Sequence, residues 1–162
     1  MIRYILSVGG ARGSFQAGAL WALHKEGFTG GHYYGHSVGA LNGALTAMGG
    51  EDRMWEIWHG IRDKDVYRHK FGAARAAWAA VRGEPMLDTN PLKRLIDKEL
   101  SWRAFSAGFT TGFVDLETGA LNRQTYHPSG PKGFLCGDVY ASAAIPFVFP
   151  LYSDEADGGL IE

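Results

Sequence analysis

Two short apolar segments, each followed by a glycine-rich turn and an amphipathic segment, occupy the first 50 residues. Arg3 to Val8 is an apolar run closed by Gly9-Gly10, which predicts a buried first strand. The pattern predicts a helix from Ser14 to about Glu26 and a second strand around His32 to Gly35. Strands and helices that alternate at this spacing favour right-handed crossovers. We therefore expect an α/β fold with a mainly parallel central sheet and helices on its faces.

The remainder of the chain is predicted to extend the same domain. Ser37 is predicted to open the next helix. The middle from Glu51 to Leu100 is mainly helical and includes an alanine-rich segment from Ala73 to Val81, and a hairpin spans Phe109 to Tyr126. At 162 residues the chain is long enough for one core, so we expect a single domain over residues 1–162. Because the sequence ends three residues after Gly159, that domain is expected to be either minimal or C-terminally truncated.

Charge and cysteine content exclude several classes of partner. Sixteen Lys and Arg against 17 Asp and Glu give a net charge of -1, which argues against a nucleic-acid partner. Cys136 is the single cysteine, which excludes an internal disulfide and a cysteine metal cluster. The start of the chain lacks a signal-peptide core, and no stretch has the roughly 20 apolar residues that span a bilayer. A cytoplasmic protein is predicted, with at most transient peripheral contact with a membrane, and no feature indicates an oligomeric state.

The five residues Gly35-His36-Ser37-Val38-Gly39 form a Gly-x-Ser-x-Gly pattern between the second strand and the next helix. A serine on a tight strand-to-helix turn needs glycines on either side, where a Cβ would collide with neighbouring backbone. The turn projects the hydroxyl out of the sheet, and the helix N-terminus faces the charge that develops during acyl transfer. Ser37 is therefore the candidate nucleophile, and His36 is predicted to line or pack beside it.

The first glycine loop, Gly9-Gly10-Ala11-Arg12-Gly13, also leaves a strand and enters a helix. Backbone N–H groups in such a loop can bind an anion, which makes it a candidate oxyanion hole. A plain turn and a dinucleotide-binding loop are the alternatives. The dinucleotide alternative requires an acidic residue about 20 positions on, where Tyr33-Tyr34-Gly35-His36 stands instead.

A serine nucleophile requires a base, and the residues offer two choices. A histidine triad in the order serine, acid, histidine would use Ser37, Asp115 and His127. The α/β-hydrolase fold, however, places several strands before the turn that carries its nucleophile. The 36 residues before Ser37 leave room for only one strand and one helix. The second candidate base is Asp157, which two glycines, Gly158 and Gly159, follow in a tight turn.

Three blocks together resemble the patatin-like phospholipase family, and the resemblance runs nearly end to end. The blocks are Leu6 to Gly18, Gly35 to Asn42, and Ala141 to Pro146 followed by Asp157-Gly158-Gly159. The resemblance implies a three-layer α/β/α fold that hydrolyses acyl esters of phospholipids or other lipids with a Ser-Asp dyad, without metal or cofactor. Val8 departs from the pattern, because the family commonly has a first glycine of three at that position.

The resemblance also implies roles for individual residues. Ser37 is the nucleophile, Asp157 is the base, and the loop from Gly9 to Gly13 forms the oxyanion hole. Arg12 is expected to anchor that loop or to offer charge to a phosphate head group. We expect the surroundings of Asp157 to desolvate its carboxylate and raise its pKa, because an ordinary Asp is a weak base towards an alcohol. Phe147 to Leu151 is predicted to line an acyl channel or to form a buried strand. A lipid-binding module without turnover is the remaining alternative.

Overall fold

The computed structural model describes residues 1–69, 82, 84–146 and 148–152. The strands are β1 (Ile2–Leu6), β2 (Gly30–Gly35), β3 (Arg68–His69), β4 (Leu87–Asp88), β5 (Gly108–Val114) and β6 (Leu121–Tyr126). The helices are α1 (Gly13–Lys25), α2 (Val38–Ala47), α3 (Glu51–Gly60), α4 (Asp63–Val66), α5 (Asn90–Leu100) and α6 (Leu135–Ala143), and a 3₁₀ turn spans Gly10–Arg12.

A four-stranded sheet in the order β1-β2-β5-β6 forms the centre of the fold. β1, β2 and β5 are parallel, and β6 returns antiparallel beside β5. Leu6 pairs with Gly35, and Gly35 pairs with Thr111, so the carboxyl ends of the three parallel strands lie at one end of the sheet. The predicted α/β class and mainly parallel sheet flanked by helices are confirmed, and so is the β5–β6 hairpin.

Helix α2 is the central helix of the core. Nine of its ten residues are buried, and it packs against β1, β2 and β5 on one side and against neighbouring helices on the other. Small residues allow this close approach: an added Cβ at Gly43 would lie 3.2 Å from the ring of Phe109. A helix that is surrounded in this way belongs in a core, and its two polar side chains, Asn42 and Thr46, are buried with it.

The structure shifts several predicted boundaries. α1 begins at Gly13, and α2 begins at Val38, so Ser37 precedes the helix. Residues 148–151 of the predicted Phe147–Leu151 strand contain no strand, and Phe147 lies outside the described residues, as does the alanine-rich segment from Ala73 to Val81. Within the described ranges, no helix has the length and apolarity needed to cross a bilayer.

Candidate active site

Ser37 has a backbone conformation that glycine favours and other residues rarely adopt. Its φ is 56° and its ψ is -126°, and the N–H of Gly39 donates to the carbonyl of His36 at 2.9 Å. These angles match the first central position of a type II′ turn, where glycine dominates. A serine held there carries backbone strain of about 1–3 kcal/mol, and strained residues of this kind cluster at functional sites.

Close backbone packing explains both glycines of the Gly-x-Ser-x-Gly pattern. A Cβ on Gly35 would lie 2.1 Å from the carbonyl oxygen of Gly39. A Cβ on Gly39 would lie 2.4 Å from the carbonyl oxygen of Leu6, at the end of β1. Both contacts are with backbone, which cannot rotate away. The turn therefore accepts no side chain at either position, as the sequence pattern predicts.

The glycine loop after β1 presents unpaired donors beside Ser37. The N–H of Arg12 donates to the carbonyl of Gly9 at 3.0 Å, and the N–H of Gly13 is bonded within the turn. The N–H groups of Gly10 and Ala11 find no acceptor among the described residues. Gly10 and Ala11 line the same cavity as Ser37, and their role as an oxyanion hole stays a prediction.

The side chain of Arg12 makes no contact that would anchor the glycine loop to another described residue. It is exposed and makes no hydrogen bond or ion pair with the part of the chain that the structure describes. Instead, Gln16 donates from Nε2 to the carbonyl of Ser7 at 2.7 Å and so ties the first turn of α1 to the end of β1. Interaction of Arg12 with a phosphate head group stays a prediction.

Ser37 opens onto a cavity of about 490 Å³, a volume within the range of small-molecule sites. Its walls are mainly apolar and come from α2, α3 and α5, with contributions from Leu41, Leu45, Met54, Ile57, Leu92 and Ile96. Ile145 and Phe149 close one side of it, so part of the predicted apolar segment near the C-terminus lines the cavity without forming a strand.

The buried carboxylate in the cavity wall is neutralised by a bidentate partner. Glu99 receives hydrogen bonds from Nε and Nη2 of Arg53 at 3.0 and 2.7 Å. The guanidinium holds the pKa of Glu99 below its usual range. Glu99 is thus a paired anion and a poor proton acceptor. Asp63 is the other carboxylate among the described residues that line the cavity.

Asn42 links α2, the helix after Ser37, to the glycine loop and to α3. Its side chain is 2 % exposed, donates from Nδ2 to the carbonyl of Gly13 at 3.0 Å and accepts from Nε1 of Trp58 at 2.8 Å. A buried amide satisfied on both sides fixes the three elements relative to one another. Sequence reasoning gave Asn42 no role, although its position one turn after Gly39 was a usable signal.

A second residue that sequence reasoning missed is Ser142. The N–H of Ser37 donates to Ser142 Oγ at 3.1 Å, across 105 residues of sequence. Ser142 belongs to the block from Ala141 to Pro146 that carries the family resemblance. No local pattern in the sequence showed that this block contacts the turn at residues 35–39, because the contact depends on the packing of α6 against β5 and α2.

The structure does not assemble the histidine triad. Tyr126 pairs with Phe109, which pairs with Tyr33, so His127 lies at the end of the sheet opposite Ser37. Tyr33 and Ser37 are four strand positions apart, roughly 13 Å along the strand. All six histidines lie within the described ranges, and none lines the cavity. His36 is exposed and places Nδ1 3.2 Å from the carbonyl of Gly112, so it packs against β5 without lining the cavity.

Asp157, Gly158 and Gly159 lie outside the described residues, so the base of the predicted dyad stays a prediction. Among the described residues, no group of His, Cys, Asp or Glu side chains is arranged to hold a metal ion.

A strained serine between a strand and a helix, on an apolar cavity that it shares with a glycine-rich loop, defines an α/β protein with the backbone geometry of a nucleophile elbow. The family model for patatin-like phospholipase matches residues 4–162. The chain therefore belongs to the patatin-like phospholipase family, whose members are generally hydrolases that act on lipid esters. A search of curated proteins finds no significant match.

Proposed function

We propose that this protein hydrolyses acyl esters of phospholipids or related lipids through an acyl-enzyme intermediate on Ser37. The observation that carries the proposal is the shared cavity of Ser37, Gly10 and Ala11, whose walls are apolar. An acyl chain removes its hydrocarbon surface from water in such a cavity, while the ester carbonyl stays beside the serine and the amides. Membership of a lipid-hydrolase family supports the same substrate class.

In the proposed mechanism, Ser37 Oγ attacks the ester carbonyl and transfers its proton to the carboxylate of Asp157. The N–H groups of Gly10 and Ala11 stabilise the negative charge on the carbonyl oxygen of the tetrahedral intermediate. Its collapse expels the alcohol, which takes the proton from Asp157. Water, deprotonated by the same carboxylate, then attacks the acyl enzyme and releases the fatty acid.

The base assignment rests on the family resemblance and has a direct competitor in Asp63, which lines the cavity. Asp157→Asn and Asp63→Asn make a matched pair, because each exchange removes one carboxylate at nearly constant volume. We expect Asp157→Asn to lower turnover at least 10³-fold and Asp63→Asn to have little effect. The reverse pattern would transfer the role of base to Asp63, and loss of turnover in His127→Gln would restore the triad.

A fluorophosphonate probe with peptide mass spectrometry tests the nucleophile. We expect labelling at Ser37 in the wild type, no labelling in Ser37→Ala, and release of fatty acid from phospholipid vesicles by the wild type alone. Labelling at a different residue would refute the assignment. Lipid binding without labelling or turnover would favour the lipid-binding module. The rate should also fall on the acid side, between about pH 4 and 7, as the base becomes protonated.

Contact with a membrane surface forms part of the same proposal. Several apolar side chains are exposed at the end of the sheet where Ser37 lies: Val8, Phe15, Val114 and Leu116. Phe15 is 81 % exposed in the first turn of α1, two residues after the glycine loop, while Val114 is three positions beyond Thr111, the partner of Gly35. Sedimentation with vesicles should show weaker association for Phe15→Ser than for Trp102→Ser, which removes an aromatic side chain of similar exposure from the loop after α5.

A further inference from the structure

The strained turn at Ser37 requires contacts that hold it, because a disfavoured backbone conformation persists only when its surroundings impose it. Gly35 and Gly39 allow the close packing but provide no side-chain contact. Among the described residues, one side chain is hydrogen-bonded to the backbone of residues 35–39. It is Ser142, whose Oγ accepts the N–H of Ser37 at 3.1 Å.

Ser142 lies on a helix that is itself firmly placed. It is in the last turn of α6, where Val139, Tyr140 and Ala143 are buried, and α6 packs against both β5 and α2. The hydroxyl of Tyr140 is hydrogen-bonded to Thr89 and to the carbonyl of Pro150. The acceptor for the Ser37 amide is therefore carried by a rigid element.

We propose that Ser142 is a positioning residue for the hydrolysis: its hydroxyl fixes the amide of Ser37 and so keeps the Ser37 side chain directed into the cavity. The kinetic part of this inference rests on the proposed function, whereas the hydrogen bond does not. Ser142 acts through Ser37. Its loss should therefore slow acylation while leaving the binding of substrate, which the apolar walls provide, nearly unchanged.

The chain offers a matched control at the opposite end of α2. Ser106 Oγ donates to the carbonyl of Ala47 at 2.9 Å, again a part-buried hydrogen bond between a serine and the backbone. Ser106→Ala removes one hydroxyl and one hydrogen bond, as Ser142→Ala does, but far from the elbow. A general loss of stability would affect both variants, whereas a positioning role affects only the variant at Ser142.

The experiment measures fluorophosphonate labelling rate, ester kinetics and amide hydrogen exchange in the wild type, Ser142→Ala, Ser142→Thr and Ser106→Ala. We expect Ser142→Ala to lower the labelling rate and kcat about tenfold with KM nearly constant, and Ser142→Thr to recover most of the loss. By NMR, the Ser37 amide should exchange about tenfold faster in Ser142→Ala only. Ser142→Cys, which keeps the size and weakens the acceptor, tests the same point if Ser142→Ala does not fold.

Wild-type labelling rates and unchanged Ser37 exchange in Ser142→Ala would overturn the inference, and so would an equal loss in Ser106→Ala. If the wild type shows no labelling at Ser37, the proposed function fails. The exchange comparison then still decides whether Ser142 fixes the elbow.

Discussion

Replacing Ser37 by glycine should make the protein more stable than replacing it by alanine. Both changes remove the Ser37 hydroxyl, which has no hydrogen-bond partner among the described residues. Neither change therefore deprives another described polar group of a hydrogen bond. Alanine retains the strain of a Cβ at φ 56°, ψ -126°, whereas glycine releases it. The difference between the two variants therefore measures the strain that the wild type holds at its candidate nucleophile.

The magnitude follows from two opposing effects. Release of the strained conformation contributes about 1–3 kcal/mol. The greater freedom of glycine in the unfolded chain opposes it by about 0.5–1 kcal/mol. Ser37→Gly should thus exceed Ser37→Ala by about 1 kcal/mol in free energy of unfolding, or about 2–4 °C in Tm for a domain of this size. Urea titration followed by far-UV circular dichroism measures the free energy, and scanning calorimetry measures Tm.

Ser129 provides the control, because its φ of 61° is the other positive φ at a non-glycine residue among those described. It is exposed, and the N–H of Gly130 donates to the carbonyl of His127 across its turn. Ser129→Gly should also be more stable than Ser129→Ala, with full catalytic activity. If the Ser129 pair shows this gain and the Ser37 pair shows none or the opposite sign, the backbone at Ser37 holds no strain and the prediction is wrong.

Two further predictions concern buried polar contacts. Asn42→Ala should lower the free energy of unfolding by about 3 kcal/mol in urea titrations, because Gly13 and Trp58 both lose a partner; a change under 1 kcal/mol would contradict this. Arg53 holds the pKa of Glu99 lower in the folded protein than in the unfolded chain, where it is about 4.3. The Glu99–Arg53 pair therefore contributes its full stabilisation above the unfolded pKa, and this contribution is lost as the pH falls through the folded pKa. The difference in stability between wild type and Glu99→Gln should therefore shrink from pH 7 to pH 3, and a constant difference would refute the assignment.

The local parts of the candidate site could be predicted from sequence. Gly35 and Gly39 were identifiable because the space they leave is needed within the turn itself and at the adjacent end of β1. In the glycine loop, Gly10 has a φ of 52°, which favours glycine, and Gly10 and Ala11 line the same cavity as Ser37. Arg12 was expected to anchor that loop, but among the described residues the side chain that ties the start of α1 to the end of β1 is Gln16.

The distant parts could not be predicted from periodicity or spacing. Ser142 is 105 residues from Ser37, and a serine near the end of a helix has no feature that names its partner. The sequence was equally unable to exclude a histidine as the base. His127 was a possible base in chain order, and only the register of β5 against β2 and β6 shows that it lies at the wrong end of the sheet.

The alternation of strands and helices and the tight turn at Ser37 between Gly35 and Gly39 could be predicted from the sequence alone, because both leave a local pattern in neighbouring residues. The tertiary structure decided which groups surround that serine. The cavity, the bidentate Glu99–Arg53 pair, the Asn42 links and the Ser142 acceptor each join segments far apart in the chain. Such contacts depend on the packing of helices against the sheet, which no short stretch of sequence encodes alone.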